Sequence, residues 1–303
     1  MSRFWTLGHV LRRCHQANIA AWAAAVGPVP TAPQAAVLSA LAETDGADMQ
    51  FVGTIASLEK TTLTGVARRL ERDGWIRRQE DPRDRRRHLL ALTTAGRVAL
   101  GQTMPLAARA AAGFLAPVPV ADHARLTRHL RELGRVSPEP PPGIALGETA
   151  WQRLTATPGH LIRRAQQAHT AHWLAEFGQD LTGPQYAVLR MTGLAGETTH
   201  ARLAELAALD KATLSGVIDR LTRRGLLAAE PDPRDKRTRG LSLTEAGREL
   251  ERSSRPRVRR VQIQTAAPVA DDDWPWLSGV LEQLAFRSGT PEIDLDTLAV
   301  DEP

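Results

Sequence analysis

Apolar residues recur at helical spacing along most of the chain, in short stretches separated by turn residues. Residues 4–26 show this spacing and predict a first helix. Thr31 and Gln34 are placed to form a capping box, so a second helix should begin there. Two shorter amphipathic stretches, around 52–58 and 61–73, come next. Two short helices joined by a tight turn, the second apolar on one side only, are typical of a helix-turn-helix.

The spacing changes from helical to alternating after Gly74. Strand-like stretches begin at Trp75 and end at Leu92, on either side of a turn at 81–84. A long helical stretch and a shorter one, over 122–133, complete the pattern. A helix-turn-helix followed by a hairpin is a winged helix. The predicted fold class is therefore mainly α with small β-hairpin wings.

The whole pattern occurs twice at one constant offset. Residues 9–97 align with residues 160–248 without a gap and are identical at roughly 37 of about 89 positions. Between the copies, the prolines of 136–143 favour polyproline II over helix and indicate a semi-rigid linker. The predicted organisation is a first copy over 1–134, a proline-rich linker over 135–150, a second copy over 151–287 and an acidic tail over 288–303.

Composition narrows the class of protein. The chain is 42% hydrophobic and 24% charged, which is typical of a globular protein. Its net charge of +5 favours an anionic partner. No apolar run reaches the roughly 18 residues of a membrane span, and the single Cys14 excludes an intramolecular disulfide framework. We expect a cytoplasmic protein with no membrane partner.

The sequence lacks the motifs that usually mark phosphate binding, nucleophilic catalysis and metal binding. The chain has no phosphate-binding glycine loop, no nucleophile elbow and no His-Glu-x-x-His motif. His169 and His172 are three residues apart, but two ligands do not make a metal site. We expect no enzyme activity, no cofactor and no metal.

Three motifs together carry a resemblance to a known family. They are the capped helix start at Thr31–Gln34, the helix around Lys60-Thr-Thr-Leu63, and the wing Asp81-Pro-Arg-Asp84 leading into Leu92-Thr-Thr-Ala-Gly-Arg97. Each returns in the second copy. Both copies resemble the MarR family, the multiple-antibiotic-resistance regulators. Members of that family are usually homodimers of one such unit, so the resemblance implies a tandem winged helix-turn-helix pseudo-dimer with a helical interface domain in a single chain.

The second helix of each helix-turn-helix offers hydroxyl and guanidinium groups, which read base edges and bind phosphates. The residues predicted to contact double-stranded DNA from these helices are Thr61, Thr62, Arg68, Arg69, Arg72, Thr213, Ser215, Arg220 and Arg223. The alternative is a solvated helix face without function. Arg68 aligns with Asp219, so the two copies should prefer different half-sites of an imperfect palindrome.

The hairpins are rich in basic residues. The predicted DNA-binding wing residues are Arg83, Arg85, Arg86, Arg87, Arg234, Lys236 and Arg237. By resemblance, a wing-tip arginine, Arg86 or Arg237, enters the minor groove, and Asp84 and Asp235 orient the wing. The alternative is a hairpin that charge keeps soluble.

The resemblance also implies a cleft for a small aromatic or phenolic effector. Candidate lining residues are His9, Arg12, Trp22, His160, Arg163, Trp173 and Tyr186. The alternative is that the aromatic residues belong to the core. Cys14 is either an oxidant sensor or a half-buried apolar residue, and the second copy has Ala165 there.

We therefore predict a sequence-specific DNA-binding regulator, a ligand-responsive repressor that acts as a single-chain pseudo-dimer. The alternative is a small-molecule or redox sensor that has lost DNA binding and acts through a protein partner. Asp219, an acid on a face predicted to meet phosphates, supports this alternative.

Overall fold

A computed structural model of the chain describes residues 5–44, 46–81, 84–231 and 239–286. The chain forms two compact units, and each combines segments from both copies. The repeat-1 unit comprises 14–167 and 268–285, and the repeat-2 unit comprises 1–13, 168–267 and 286–303. This division by contacts differs from the division by repeat, whose boundaries remain a prediction.

The predicted order of elements is present in the first copy. Its elements are α1 (Leu7–Val26), α2 (Ala32–Ala42), α3 (Met49–Ala56), α4 (Lys60–Arg72), β1 (Ile76–Asp81), β2 (Asp84–Leu92), α5 (Thr94–Leu115) and α6 (His123–Leu133). The second copy follows the same plan. Its elements are α7 (Glu148–Thr155), α8 (Pro158–Phe177), α9 (Gly183–Ala195), β3 (Thr198–Thr199), α10 (His200–Ala207), α11 (Lys211–Arg223), β4 (Leu227–Pro231), β5 (Arg239–Leu243), α12 (Glu245–Ala266) and α13 (Trp274–Ala285). The predicted fold class is confirmed.

The capping box predicted at α2 forms. The Thr31 hydroxyl accepts from the Gln34 amide at 3.4 Å, and the Thr31 amide donates to Oε1 of Gln34 at 2.8 Å. Thr182 and Gln185 make the same pair at 3.4 and 2.9 Å at the start of α9. Both boxes fix where the helix in front of the helix-turn-helix begins.

The turn between α3 and α4 requires a left-handed residue. Ser57 occupies it at φ 51°, and Ala208 takes the equivalent position at φ 52°. After this turn, α4 buries a one-sided stripe of Leu63, Val66, Ala67 and Leu70. The other side of α4 is left to solvent, as the helical spacing predicts.

Each wing is joined to the long helix after it by a threonine and a glycine. The Thr93 hydroxyl donates to the Gly74 carbonyl at 2.7 Å and accepts from the Gly96 amide at 3.0 Å. A Cβ on Gly96 would overlap the Trp75 carbonyl oxygen. Thr244 and Gly247 repeat this arrangement in the second copy. The repeated Thr-x-x-Gly sequence therefore sets the angle between hairpin and helix.

The hairpins are antiparallel. In the first copy Ile76 pairs with Leu92, and Ala47 adds an isolated bridge to Leu90. In the second copy the bridge becomes a short third strand, giving the order β3-β5-β4. Both sheets therefore anchor the segment that precedes the helix-turn-helix.

The segment predicted as a linker is partly a structural element of the repeat-1 unit. Ile144 and Leu146 pack on the core of the first winged helix, and Trp151 of α7 is buried within that core. The Trp151 indole N–H donates to the Ser137 carbonyl at 3.0 Å. Proline content predicted a spacer here, but these apolar side chains attach it to the first copy.

Among the described helices, none alone has the length and apolarity needed to cross a membrane. Two successive helical stretches, Thr94–Leu115 and Val120–Leu133, meet these criteria only together, and they are bent by 102° relative to each other.

Candidate nucleic-acid interface and ligand clefts

The predicted DNA-contacting residues of α4 and α11 share one property, which is exposure. The exposed residues are Thr61, Thr62, Arg68, Arg69, Arg72, Thr213, Ser215, Arg220 and Arg223. The buried stripes of both helices face the opposite way, into the cores of their units. Each helix therefore presents a polar, mostly cationic face that packing leaves free.

Some of these groups already have partners. Arg72 pairs with Asp73 at 3.0 Å, and the Thr213 hydroxyl donates to Asp210 at 2.7 Å. Asp210 caps α11 through the Thr213 amide, and this hydrogen bonding holds the pKa of the Asp210 carboxyl below its usual range. The Thr213 amide and hydroxyl therefore both bond to the residue that caps α11. Within the described part of the chain, Arg68 and Arg69 form no ion pair.

Asp219 stands where the first copy has Arg68. Nε of Arg223 donates to the main-chain carbonyl of Asp219 at 3.3 Å, and no described cation forms an ion pair with the carboxylate of Asp219. This carboxylate is exposed on the polar face of α11. The electrostatic difference between the copies that the sequence predicts therefore lies at the surface.

A cleft of about 600 Å³ lies beside α11 in the repeat-2 unit. It is lined by His200, Ser215, Ile218, Asp219, Thr222, Arg223, Ala229 and Leu241. Sequence reasoning did not predict it.

The wing tips fall outside the described residues. This applies to Arg83, Arg234, Asp235, Lys236 and Arg237. Asp84, Arg85, Arg86 and Arg87 lie on β2, of which only the backbone is described there. The contacts predicted for all of them remain predictions.

In the repeat-2 unit, the start of α1 brings His9, Arg12 and Arg13 to the end of α10. Nη1 of Arg12 donates to the Ala207 carbonyl at 3.0 Å, and Nη2 of Arg13 donates to the Glu205 carbonyl at 2.5 Å. Nε of Arg13 donates to Nε2 of His9 at 2.8 Å. We call this group the repeat-2 cluster.

Burial controls the protonation of this group. It is the main cause that lowers the pKa of Arg12 and of Arg13 to about 10. Burial, followed by the charges of Arg13 and Arg12, holds the pKa of His9 well below its usual value. His9 is therefore neutral, which allows its Nε2 to accept the hydrogen bond from Arg13.

In the repeat-1 unit, the equivalent helix α8 brings His160 and Gln167 to the end of α3, and the charges of Arg163 and Arg164 on the same helix act on His160. The Ser57 hydroxyl lies 3.2 Å from Nε2 of His160, and Nε2 of the Gln167 side chain donates to the Ser57 carbonyl at 3.0 Å. We call this group the repeat-1 cluster. Burial, then the charges of Arg163, Arg164 and Arg131, lowers the pKa of His160 to about 3.

The aromatic candidates have packing roles. The Trp22 indole donates to the Pro30 carbonyl at 2.9 Å, and the equivalent Trp173 donates to the Leu181 carbonyl at 2.6 Å. Tyr186 is buried against Trp173, and its hydroxyl donates to Glu251 at 3.3 Å. Trp173 and Tyr186 are buried, which favours the core alternative for them, whereas Trp22 is only half-buried.

Cys14 is fully buried, and its thiol donates to the Leu281 carbonyl at 3.3 Å. Burial raises the pKa of this thiol. These properties favour the structural alternative for Cys14. His169 is also buried, which lowers its pKa to about 4, and the described residues contain no cluster of three or more metal-ligating side chains.

Sequence reasoning missed several residues of the repeat-1 and repeat-2 clusters. Arg13 and Arg164 follow the predicted arginines directly, so the repeated His-x-x-Arg-Arg sequence was an available signal. Ser57 and Arg131 belong to other elements, and no local pattern indicates that Ser57 contacts His160 or that the charge of Arg131 acts on it.

Comparison with known proteins supports the resemblance. The sequence profile of the MarR family matches residues 31–88, and a second profile of the same family matches residues 179–238. The transcriptional regulator HosA of Escherichia coli O111:H- is 42% identical over 91 residues, which are 30% of this chain and 67% of that protein. The HTH-type transcriptional repressor NicR of Pseudomonas putida is 34% identical over 113 residues, 36% of this chain and 69% of that protein.

Solved structures resemble one copy at a time. The PcaV transcriptional regulator of Streptomyces coelicolor, in complex with its natural ligand, is 36% identical with a TM-score of 0.40, and the match covers 42% of this chain and 91% of that one. BpsR of Bordetella bronchiseptica, whose structure is described with regulation of its DNA binding by 6-hydroxynicotinic acid, is 31% identical with a TM-score of 0.41. The match covers 42% of this chain and 98% of that one.

Proposed function

This chain belongs to the MarR family and contains two tandem copies of its winged helix, and we propose that it is a transcriptional repressor that binds one operator as a single-chain pseudo-dimer. The observation that carries the proposal is the pair of exposed polar helix faces on α4 and α11. A helix of this kind enters the major groove, and two of them read half-sites about 34–36 Å apart.

Fusion of the copies affects how binding depends on concentration. In a homodimer, two chains must associate before both half-sites are contacted. Here the second contact is intramolecular once the first has formed, so it benefits from a high effective concentration. Operator occupancy should therefore not collapse when the protein is dilute.

The proposed operator is an imperfect palindrome. Arg68 carries a donor group suited to guanine or phosphate, whereas Asp219 carries an acceptor suited to the cytosine amino group. Because both side chains are exposed at equivalent positions, the two half-sites should differ where these residues bind.

We also propose that the repressor responds to a small aromatic or phenolic effector. Both units contain a buried histidine with neighbouring arginines where the first helix of a copy meets the helix-turn-helix. A ligand that binds this junction better in a geometry unable to span both half-sites would release the operator.

The test is the mass of the complex between the full chain and the duplex upstream of its own gene, measured over a salt series. We expect one chain per duplex, with affinity that falls steeply with salt because phosphate contacts release counterions. A complex with two chains would overturn the single-chain pseudo-dimer and keep DNA binding. If neither this duplex nor any duplex from a random-sequence selection binds, the exposed carboxylate of Asp219 favours the second candidate, a sensor that acts through a protein partner.

A further inference from the structure

The cleft of about 600 Å³ in the repeat-2 unit follows one face of α11, and we call it the α11 cleft. Its lining residues from this helix recur at helical spacing, and they are Ser215, Ile218, Asp219, Thr222 and Arg223. The other lining residues come from the start of α10 and from β4 and β5. The volume lies within the range of about 300–1,000 Å³ that is typical of small-molecule pockets.

The α11 cleft combines apolar and polar surface. Ile218 and Leu241 are buried, and Ala229 is half-buried, so these three side chains give it an apolar wall. Asp219 and Arg223 are exposed, so their charged groups lie where the cleft meets solvent. A pocket of this kind suits a ligand with an apolar body and a polar end.

The polar end of the cleft carries one charge of each sign. Asp219 and Arg223 are four residues apart on α11, a spacing at which an acid and a base commonly pair on a helix surface. Here Nε of Arg223 donates instead to the main-chain carbonyl of Asp219 at 3.3 Å. Within the part of the chain that the structure describes, neither side chain forms an ion pair. A carboxylate and a guanidinium therefore remain available to a ligand.

The first copy does not keep these features. Glu71 and Arg78 stand at the positions of Thr222 and Ala229, and they hydrogen-bond to each other at 3.2 Å between helix and wing. The acid of the second copy is replaced by a cation, Arg68. The groove of the first copy thus holds an ion pair and lacks the carboxylate.

An α-amino acid with an apolar side chain matches the α11 cleft. Its ammonium group complements Asp219, and its carboxylate can form two parallel charge-assisted hydrogen bonds with Arg223. Its side chain removes the apolar wall from water. A ligand with a single charge would leave either Asp219 or Arg223 without a partner.

We propose that the α11 cleft binds one apolar α-amino acid per chain, and that this ligand competes with DNA for α11. The competition rests on the proposed function, in which Arg223 contacts DNA. A ligand carboxylate on Arg223 withdraws one cation from the phosphates, and the bound molecule lies on the helix face that would enter the major groove. By linkage, DNA weakens ligand binding by the same factor.

The test is isothermal titration calorimetry of the full chain without DNA, with L-phenylalanine and L-leucine as probes. Three controls each lack one feature of phenylalanine: phenethylamine has no carboxylate, hydrocinnamate has no amine, and glycine has no apolar side chain. We expect a probe to bind at one site per chain. Each control should bind about tenfold or more weakly, because it loses a charged contact or the burial of apolar surface.

Substitutions of exposed side chains locate the site. Asp219→Asn and Arg223→Gln each remove one charge at the surface, so the fold should persist, and each should weaken probe binding about tenfold or more. Arg223→Gln should not weaken the binding of phenethylamine, which has no carboxylate to lose. The matched substitutions in the first copy, Arg68→Gln and Arg72→Gln, should leave probe affinity within about twofold.

A blocking variant tests the cleft without removing either charge. Thr222→Glu with Ala229→Arg installs the pair that the first copy has there, and it should abolish probe binding. Four results would overturn the site: undiminished binding in the blocking variant or in both charge variants, a control that binds as tightly as its probe, two sites per chain, or no binding of either probe up to about 10 mM.

Competition with DNA is measured by mobility shift with the operator duplex or a duplex from random-sequence selection. A saturating probe should weaken duplex binding about fivefold or more and make the log–log salt slope shallower by about one. Asp219→Asn should be insensitive to the same probe concentration. Unchanged duplex affinity at saturation would overturn the competition.

Failure of this inference and failure of the proposed function are distinguishable. A chain that binds DNA but neither probe remains a regulator and refutes the α11 site. A chain that binds a probe at Asp219 and Arg223 but no DNA keeps the site and refutes the repressor.

Discussion

Arg78 of β1 donates from Nε to Oε2 of Glu71 at 3.2 Å, which ties the first wing to its recognition helix α4. The second copy has Ala229 and Thr222 at these positions. Both line the cleft of about 600 Å³ beside α11. The loss of one ion pair thus accompanies an open groove between helix and wing in the second copy.

Restoring this tie should stabilise the second winged helix only slightly. In the first copy the two partner side chains are 46% and 38% exposed, so solvent screens their attraction. We expect Thr222→Glu with Ala229→Arg to show a coupling free energy of about 0.2–1 kcal/mol in a double-mutant cycle of urea unfolding. The coupling should shrink in high salt. A coupling that salt does not change would mean that the gain comes from filling the groove and not from charge.

The anchoring of α7 predicts a large stability effect from a residue outside the first copy. Trp151 is 5% exposed, packs in the core of the first winged helix and bonds to Ser137. Trp151→Ala should lower the free energy of unfolding by about 3–5 kcal/mol. Arg153→Ala is the matched control on the same helix. Its guanidinium is 65% exposed and pairs with Glu43, so the loss should stay below about 1 kcal/mol. Equal losses in the two variants would show that Trp151 does not anchor the helix.

These residues illustrate what the sequence could and could not predict. The capping boxes, the buried stripe of α4 and the boundaries of the hairpins depend on neighbours within about four positions, so spacing alone revealed them. The placement of Trp151 depends on contacts with α2 and α3, more than ninety residues earlier, and the prolines before it suggested a spacer.

The same limit applies to the candidate sites. Exposure of the recognition-helix residues follows from one-sided apolarity and was predictable. The meeting of Ser57 with His160 joins the end of α3 to the start of α8, and no periodicity connects these elements. Pairing of Trp22 and Trp173 with main-chain carbonyls likewise depends on the loop that follows each helix. Residue type made these side chains candidates for a ligand site, but only the fold shows which atoms they contact.

Stability should fall as the pH drops below the ordinary pKa of histidine. Burial, first among the causes, lowers the pKa of His160 from 6.5 to about 3 and that of His15 to about 4. Between those values and 6.5, the unfolded chain binds protons that the native chain does not. The stabilisation is therefore present above about pH 6.5 and is lost as the pH falls, by at most about 1.4 kcal/mol per pH unit for each histidine.

Urea unfolding between pH 5 and 7.5 measures this slope. Hydrogen bonds to arginine lower the pKa values of the Glu176 and Asp273 carboxyls. Both carboxyls therefore stay ionised in this pH window. His160→Gln should reduce the slope, whereas the same substitution at the exposed His88 should not. An unchanged slope in His160→Gln would show that His160 is accessible to protons in the native state.

The exposed pair Arg68 and Asp219 gives the sharpest test of how the copies divide DNA reading. Asp219→Arg makes the second recognition helix match the first at this position and replaces a phosphate-repelling group with a cation. It should tighten binding to random duplex DNA and steepen the salt dependence by about one unit of log–log slope. Arg68→Asp is the mirror substitution, and it should weaken binding and make the salt dependence shallower by a similar amount.

Random-sequence selection with each variant should then return more symmetric half-sites, because both helices present the same group. If Asp219→Arg changes neither the salt slope nor the selected sequence, α11 does not face DNA, and operator reading belongs to the first copy alone.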